Sequence, residues 1–441
     1  MPDAFATPFA SAISEHPVAT QAAGEAVGQL LEALGPGPPP GLVCLLATPA
    51  HRGAIEDLAR TVRVLLAPRI LIGTVAQTIA TATRTVENGP AIVAWAARVR
   101  RAEAVVLAPG GAGRGHEAGE GRDGHDVGSS LAACVARLDG PPTGALVLGD
   151  AATFPARPFL AAAAGLFPGA ATAGGLIAAP PAAPGAFIAH DTIVDGGGVV
   201  ALVRGDAAMD AVASEGSRPI GQPMVVTASA ADVIYELAGA PALRRIDEQL
   251  QALGPDERAL AAAGVDIGIA VREPPRGHRS GDFVVRRVLG PSPRGDGLVV
   301  TTPVPVGTCV QFHLRDPDAA RRELADRINA AASVQNRRGE TRAALVFTSR
   351  LRDPMPLASP LRDVVTIADT CGPVALAAVS CAAEIGPSPA GTTLRSRSCC
   401  AALFRSHGQS MPPDWYGVAP AAAGADRPGR GDAPDPGDGR R

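Results

Sequence analysis

The residues best suited to chemistry sit in a few short stretches. In Glu215-Gly-Ser-Arg-Pro-Ile-Gly-Gln-Pro, Gly216 and Gly221 permit tight turns and Pro219 holds Arg218 extended. A guanidinium fixed between two turns presents a planar fork suited to a carboxylate. Arg218, with Ser217 beside it, therefore has two readings: an anchor for an anionic ligand group, or an ion pair with Glu215 or Asp206 at a domain junction. Ser349-Arg350 and the loop of Glu384 each follow an apolar run, and ligands of α/β sheets sit beyond the carboxyl ends of strands. An Arg beside a Glu can grip the carboxylate and amine of one amino acid; Glu384 can equally cap the turn into Ile385-Gly386-Pro387. Thr74 and Gln77 occupy the matching loop of an earlier repeat and complete the candidate ligand-binding set.

Other groups invite chemistry less well. Cys381 precedes Glu384, yet no His is tied to it by spacing, and small buried cysteines are common. No catalytic residue is expected; the alternative is an enzyme of hydrolase or transferase type using Ser217 or Cys381 with an unidentified base. His313 alternates with apolar residues in CVQFHLRD and reads as structural. His116, Glu117, Glu120, Asp123, His125 and Asp126 are metal-ligand types in a Gly-rich insert, Pro109 to Gly128, with no helix to fix their spacing. A solvated loop is expected there, and no metal. GGAGRG at 110–115 follows a strand-like run, but no apolar helix is read after it, so a dinucleotide site is set aside. All 40 basic residues are Arg, which excludes a P-loop Lys or Schiff-base Lys. No cofactor is expected.

The elements that must position these groups repeat. GLVCLLAT, a segment with Ile55, Leu58, Ala59, Val62, Leu65 and Leu66 at helical spacing, and RILIG form strand, helix, strand. GALVLGD with Phe159, Leu160, Ala163 and Leu166 leads to ATAGGL, and AALVFTS with Leu361, Val364, Ile367 and Ala368 leads to VALAAVS. A further apolar strand follows each: AIVAWAARV, GVVALVRG and CCAALF. This predicts an α/β (α+β) protein with mixed sheets of repeated β-α-β-β units flanked by helices, each crossover joining parallel strands. Between the second and third units, Val225 to Leu237 reads as a strand end, a Ser229 cap and a helix. A second helix follows Pro241, then four β-like runs, VDIGIAV, DFVVRRVL, GLVVTT and TCVQFHL.

These segments, from ATPAHRGAIEDLARTVR through ENGPAIV, TFPARPFLAAAAGLFPGAATAGGLIA, EGSRPIGQPMVV, RSGDFVVRRVLGPSPRGDGLVV and VPVGTCVQFHLRD to AAEIGP, together resemble the FIST family. The resemblance implies an N-terminal FIST module at 41–228 and a C-terminal one at 229–405. A helical or flexible segment at 1–40 precedes them and a disordered tail at 406–441 follows. It implies a sensory or signal-transduction role with a small polar ligand, an amino acid or related metabolite, held between two adjacent modules. Relatives join such pairs to output modules; this chain is expected to be a stand-alone bacterial copy that signals through a partner protein. A pure interaction scaffold is a further alternative. The sequence departs from the family pattern at Thr74-Val75-Ala76-Gln77, at Ser217 where relatives carry Cys, and at Ala383 before Glu384.

The net charge of −3 gives no field for nucleic acid or an anionic membrane. Seven scattered cysteines without a CxxC fit reduced thiols in a cytoplasm. The first residues lack the basic and apolar regions of a signal peptide. Phe159 to Ala189 is uncharged but broken by Gly and Pro, so no membrane span is expected.

Overall fold

The apolar runs of the first hundred residues build one α/β layer. The computed structural model describes residues 8–110, 122–179, 184–205, 208–270, 283–333, 340–349, 362–388 and 391–405. Its first unit comprises β1 (Phe9–Ser14), α1 (Ala19–Leu34), β2 (Leu42–Ala47), α2 (Ile55–Leu66), β3 (Ile70–Val75), a hairpin β4 (Ile79–Thr81) and β5 (Thr85–Val86), and β6 (Ile92–Ala97). Strands β2 and β3 are parallel across the α2 crossover, and β6 and β1 add antiparallel beside them. The segment before residue 41 thus supplies a strand of this sheet as well as a helix. Helix α2 buries Ile55, Leu58, Ala59, Val62 and Leu66, while Leu65, expected on that face, is exposed.

The same order recurs twice. The second unit runs β7 (Arg101–Leu107), α3 (Arg122–Ala136), β8 (Gly144–Asp150), α4 (Ala156–Leu166), β9 (Ala171–Ile177), hairpin β10 (Ala186–Ala189) and β11 (Thr192–Asp195), and β12 (Gly198–Arg204). Helix α3 corrects the expectation that no apolar helix follows the Gly-rich run: Val127, Leu131 and Cys134 dock it on the sheet. The third unit opens with β13 (Ala208–Ser214), and an insertion follows. This comprises β14 (Ser217–Ala230), β15 (Val233–Leu237), β16 (Ala240–Pro241), α5 (Ala242–Gln251), α6 (Pro255–Ala262), β17 (Val265–Ala270), β18 (Phe283–Pro291), β19 (Leu298–Val300) and β20 (Cys309–Arg315). The unit resumes with α7 (Pro317–Ser333), β21 (Thr341–Ser349), α8 (Arg362–Cys371), β22 (Ala375–Cys381), hairpin β23 (Ala383–Ser388) and β24 (Gly391–Arg395), and β25 (Cys399–Arg405).

The insertion is an antiparallel barrel, ordered β14-β20-β17-β18-β19-β15-β16 and closed by pairing of β14 with β15. The expected helix over 229–237 is therefore a β-hairpin. Ser229 Oγ donates to the Val304 carbonyl instead of capping a helix, and Ile234 and Leu237 enter the barrel core beside Val226.

Each unit lends its hairpin to another unit's sheet. Strand β10 pairs with β3, β23 with β9, and β4 with β22, so the exchange closes a ring of three. The inner faces of the three sheets meet in one core that includes Phe9, Trp95, Leu148, Phe187, Phe347 and Phe404. Trp95 Nε1 donates to the Ala375 carbonyl (2.8 Å), tying the first unit to the third. Helix pairs α1/α2, α3/α4 and α7/α8 cover the outer faces. The likeness of the units extends to single bonds: the amides of Thr48, Asp150 and Ser349 donate to the carbonyls of Ala91, Gly197 and Ser398 at 2.9, 2.8 and 3.1 Å. All described residues lie in one compact unit, and none of their helices is long and apolar enough to cross a membrane.

Candidate functional site

The chain enters the barrel through Glu215-Gly216-Ser217 and leaves it through Arg315-Asp316, so both connections cross one seam against the third sheet. Gly216 has φ +69°, a left-handed turn open to glycine. Glu323 of α7 fixes the entry by accepting from Ser214 Oγ (2.8 Å) and the Gly216 amide (3.0 Å).

Charged groups fill the seam. Arg315 Nε donates to Asp266 (2.5 Å), and its Nη1 donates to the carbonyls of Glu215 and Arg397. Arg397 Nη1 reaches the other Asp266 oxygen (3.3 Å). Arg395 Nη1 pairs with Glu215 Oε1, and its Nη2 donates to the Pro387 carbonyl. Burial raises the Glu215 pKa, against the opposing pull of Arg395 and Arg315. Glu384 is fully buried; its Oε2 accepts from the amide (3.1 Å) and hydroxyl (2.7 Å) of Ser398. Ser398 in turn accepts from the Ser349 amide.

Arg218 forms ion pairs with Asp316 (2.8 Å) and Glu257 (2.9 Å). Burial works against its charge, but those two bonds outweigh it and hold the pKa above the ordinary value. The pairing partners are thus Asp316 and Glu257, where the sequence suggested Glu215 or Asp206. Ser217 Oγ lies 3.1 Å from His313 Nδ1. Burial lowers the His313 pKa to about 4, so the ring is neutral at pH 7, and Nε2 has no hydrogen-bond partner among the described residues.

The sequence-derived candidates separate into groups. Ser349 and Glu384 both bond to Ser398, Ser217 contacts His313 and Arg218 pairs with Asp316 and Glu257 at the barrel mouth, while Arg395 turns to Glu215. Thr74 lies in the first sheet, fully buried, donating to the Ala186 carbonyl (3.1 Å). Gln77 is exposed, and hairpin exchange places its neighbour Thr78 on the third unit, where the Thr78 amide donates to Ser380 Oγ (3.1 Å). Arg350 lies outside the described residues, as do Asp206, His116, Glu117, Glu120 and the tail from 406. Cys381 is a buried thiol with a pKa raised by burial first and then by the Glu384 charge, which disfavours the thiolate a nucleophile needs.

Sequence reading missed Asp266, Arg315, Arg395 and Arg397. The signal for Arg395 emerges only when the three hairpins are aligned. Ile79 faces Val86 and Phe187 faces Val194, both pairs directed at the central core, but Glu384 faces Arg395. Two units carry an apolar pair where the third carries opposite charges.

Residues 41–240 match the FIST N domain and residues 242–387 the FIST C domain. An uncharacterized protein of Mycobacterium bovis is 32% identical over 389 residues, spanning 88% of this chain and 96% of the relative. An uncharacterized protein of Mycobacterium tuberculosis is 31% identical over 393 residues, 89% of this chain and 98% of its own length. The chain belongs to the FIST family.

Proposed function

We propose that this protein is a non-catalytic sensor that binds a small polar or anionic metabolite, such as an amino acid, at the seam between barrel and third sheet. FIST domains are associated with sensory and signal-transduction roles. The observation that carries the reading is the Glu384–Arg395 pair at a position the other two hairpins fill with apolar side chains. Burying charge costs several kcal/mol unless it is bonded, and an apolar pair is commonly as stable or more so. Retaining the charge here fits recognition better than packing. Ser217, Arg218, Ser349 and Glu384, with Arg350 and Gln77, are the ligand-facing set on this reading; Thr74, whose hydroxyl donates to the Ala186 carbonyl within the first sheet, stands outside it. Since both barrel connections cross the seam, ligand occupancy would alter how the barrel is held, and a partner signalling protein in the cytoplasm would read that change. Thermal-shift screening of amino acids and small organic acids against wild type and Glu384→Gln tests the reading.

One observation favours an enzyme, the Ser217–His313 contact. A hydrolytic dyad needs its imidazole oriented by a third group, and Nε2 has none among the described residues. Covalent labelling of Ser217 by a fluorophosphonate would favour this second reading; no labelling is expected.

A further inference from the structure

Each unit opens with a strand that leads to a helix, and the register makes these connections comparable. Ser14 of β1, Leu107 of β7 and Ser214 of β13 each stand opposite the first residue of their unit's last strand, Ile92, Gly198 and Cys399. The helix that follows buries Ala22 and Ala26 in α1, Val127 and Leu131 in α3, and Ala320 and Leu324 in α7. Glu25, Ser130 and Glu323 directly precede the second member of each pair. In the first and third units the strand serine donates to that glutamate, Ser14 to Glu25 at 2.5 Å and Ser214 to Glu323 at 2.8 Å. Both bonds clasp the strand end to the helix. The second unit has Leu107 and Ser130 in these positions, and Leu107 offers no hydroxyl. A cavity of about 140 Å³ lies there instead, lined by both residues and by Pro109, Val127, Pro155 and Asp126.

The lining sets what fits. A cavity of about 150 Å³ with apolar walls admits a molecule the size of benzene, and Leu107, Val127 and the two prolines supply such walls. Asp126 is exposed and pairs with no Arg among the described residues, and Ser130 adds a half-buried hydroxyl. Apolar walls with a few polar groups take a ligand whose hydrocarbon is buried and whose head group is fixed by those groups. A carboxylate in that place attracts a cation and repels an anion. We propose that this cavity is a binding site for a small primary amine with a compact apolar body, its hydrocarbon against Leu107, Val127 and Pro155 and its ammonium paired with Asp126. The site goes beyond the sensor reading and is independent of it: β7 and the hairpin of Glu384 lie at opposite edges of the second sheet.

The test is thermal shift and calorimetry on the full chain with benzylamine, benzyl alcohol and sodium benzoate at matched ionic strength, three probes that share a ring and differ in head-group charge. Benzylamine should bind saturably, benzyl alcohol at least tenfold more weakly, and benzoate more weakly still. Asp126→Asn should weaken benzylamine binding tenfold or more and leave benzyl alcohol unchanged. Ser130→Leu, which fills the cavity, should remove the response to both. Butylamine binding as well as benzylamine assigns the site to amines at large; benzylamine alone assigns it to aryl amines. Absence of a saturable benzylamine response, benzyl alcohol or benzoate binding equal to benzylamine, or an unchanged response in Asp126→Asn or Ser130→Leu overturns the proposal. Should Ser130→Leu not fold, Asp126→Asn decides, because it alters an exposed side chain.

Discussion

Glu384 and Arg395 stand opposite one another in the last hairpin, yet each turns to a different partner: Glu384 to Ser398, Arg395 to Glu215. The hairpin belongs to the third unit but completes the second unit's sheet, since Glu384 is also in register with Gly175 of β9. The pair therefore joins two sheets to the barrel entrance, and its charges couple three parts of the molecule. Charge at this point has measurable consequences.

Removing one member of the Glu215–Arg395 pair should cost more than removing both. Arg395→Met strands a buried carboxylate, for which about 3–5 kcal/mol is expected. Glu215→Gln combined with Arg395→Met should recover a substantial part of that loss in urea unfolding. Additive costs for the two substitutions would show that the pair is not coupled.

Gly175→Ala probes the contact between the second sheet and the third. A β-carbon there would lie 2.1 Å from Cys381 Sγ. Overpacking of this kind typically costs 1–3 kcal/mol. Adding Cys381→Ala should return most of the lost stability, measured as the shift in denaturation midpoint, because the clashing sulfur is gone. Phe347, 3.2 Å from the same β-carbon, limits the recovery.

His313 should make stability depend on pH in a defined window. Its pKa falls from 6.5 to about 4 on folding, chiefly through burial. Above about pH 6.5 the ring is neutral in both states and its contribution is complete. As pH drops from there toward 4, the unfolded chain takes up a proton that the folded chain refuses, and stability declines. At about 1.4 kcal/mol per pH unit, the loss reaches roughly 3 kcal/mol at most. His313→Gln should flatten this part of the stability–pH curve; an unaltered slope between pH 6.5 and 4 would refute the assignment.

Short-range pattern made the α-β crossovers legible: Ile55, Leu58 and Val62 mark α2, and the parallel pairing of β2 with β3 follows from strand-helix-strand spacing. The hairpin exchange was not legible, because β4 and β5 are only three and two residues long and the Thr78–Ser380 bond spans 302 residues. Helix α3 was hidden by Gly124, Gly128 and its charged first turn, although Val127, Leu131 and Cys134 hold helical spacing. Ser229 within Val225 to Leu237 reads as a helix cap; instead Ala231 turns the chain at φ +49° between paired strands. Arg218 is held by two ion pairs whose partners lie 39 and 98 residues away. No local spacing could have named them.

The most direct measurement is calorimetric titration of small organic anions and zwitterions into wild type, Glu384→Gln and, as a control in the first sheet, Thr74→Val. Saturable binding of at least one such compound is expected, weakened tenfold or more by Glu384→Gln and little changed by Thr74→Val. Binding that survives Glu384→Gln intact, or none in wild type at millimolar concentration, would contradict it.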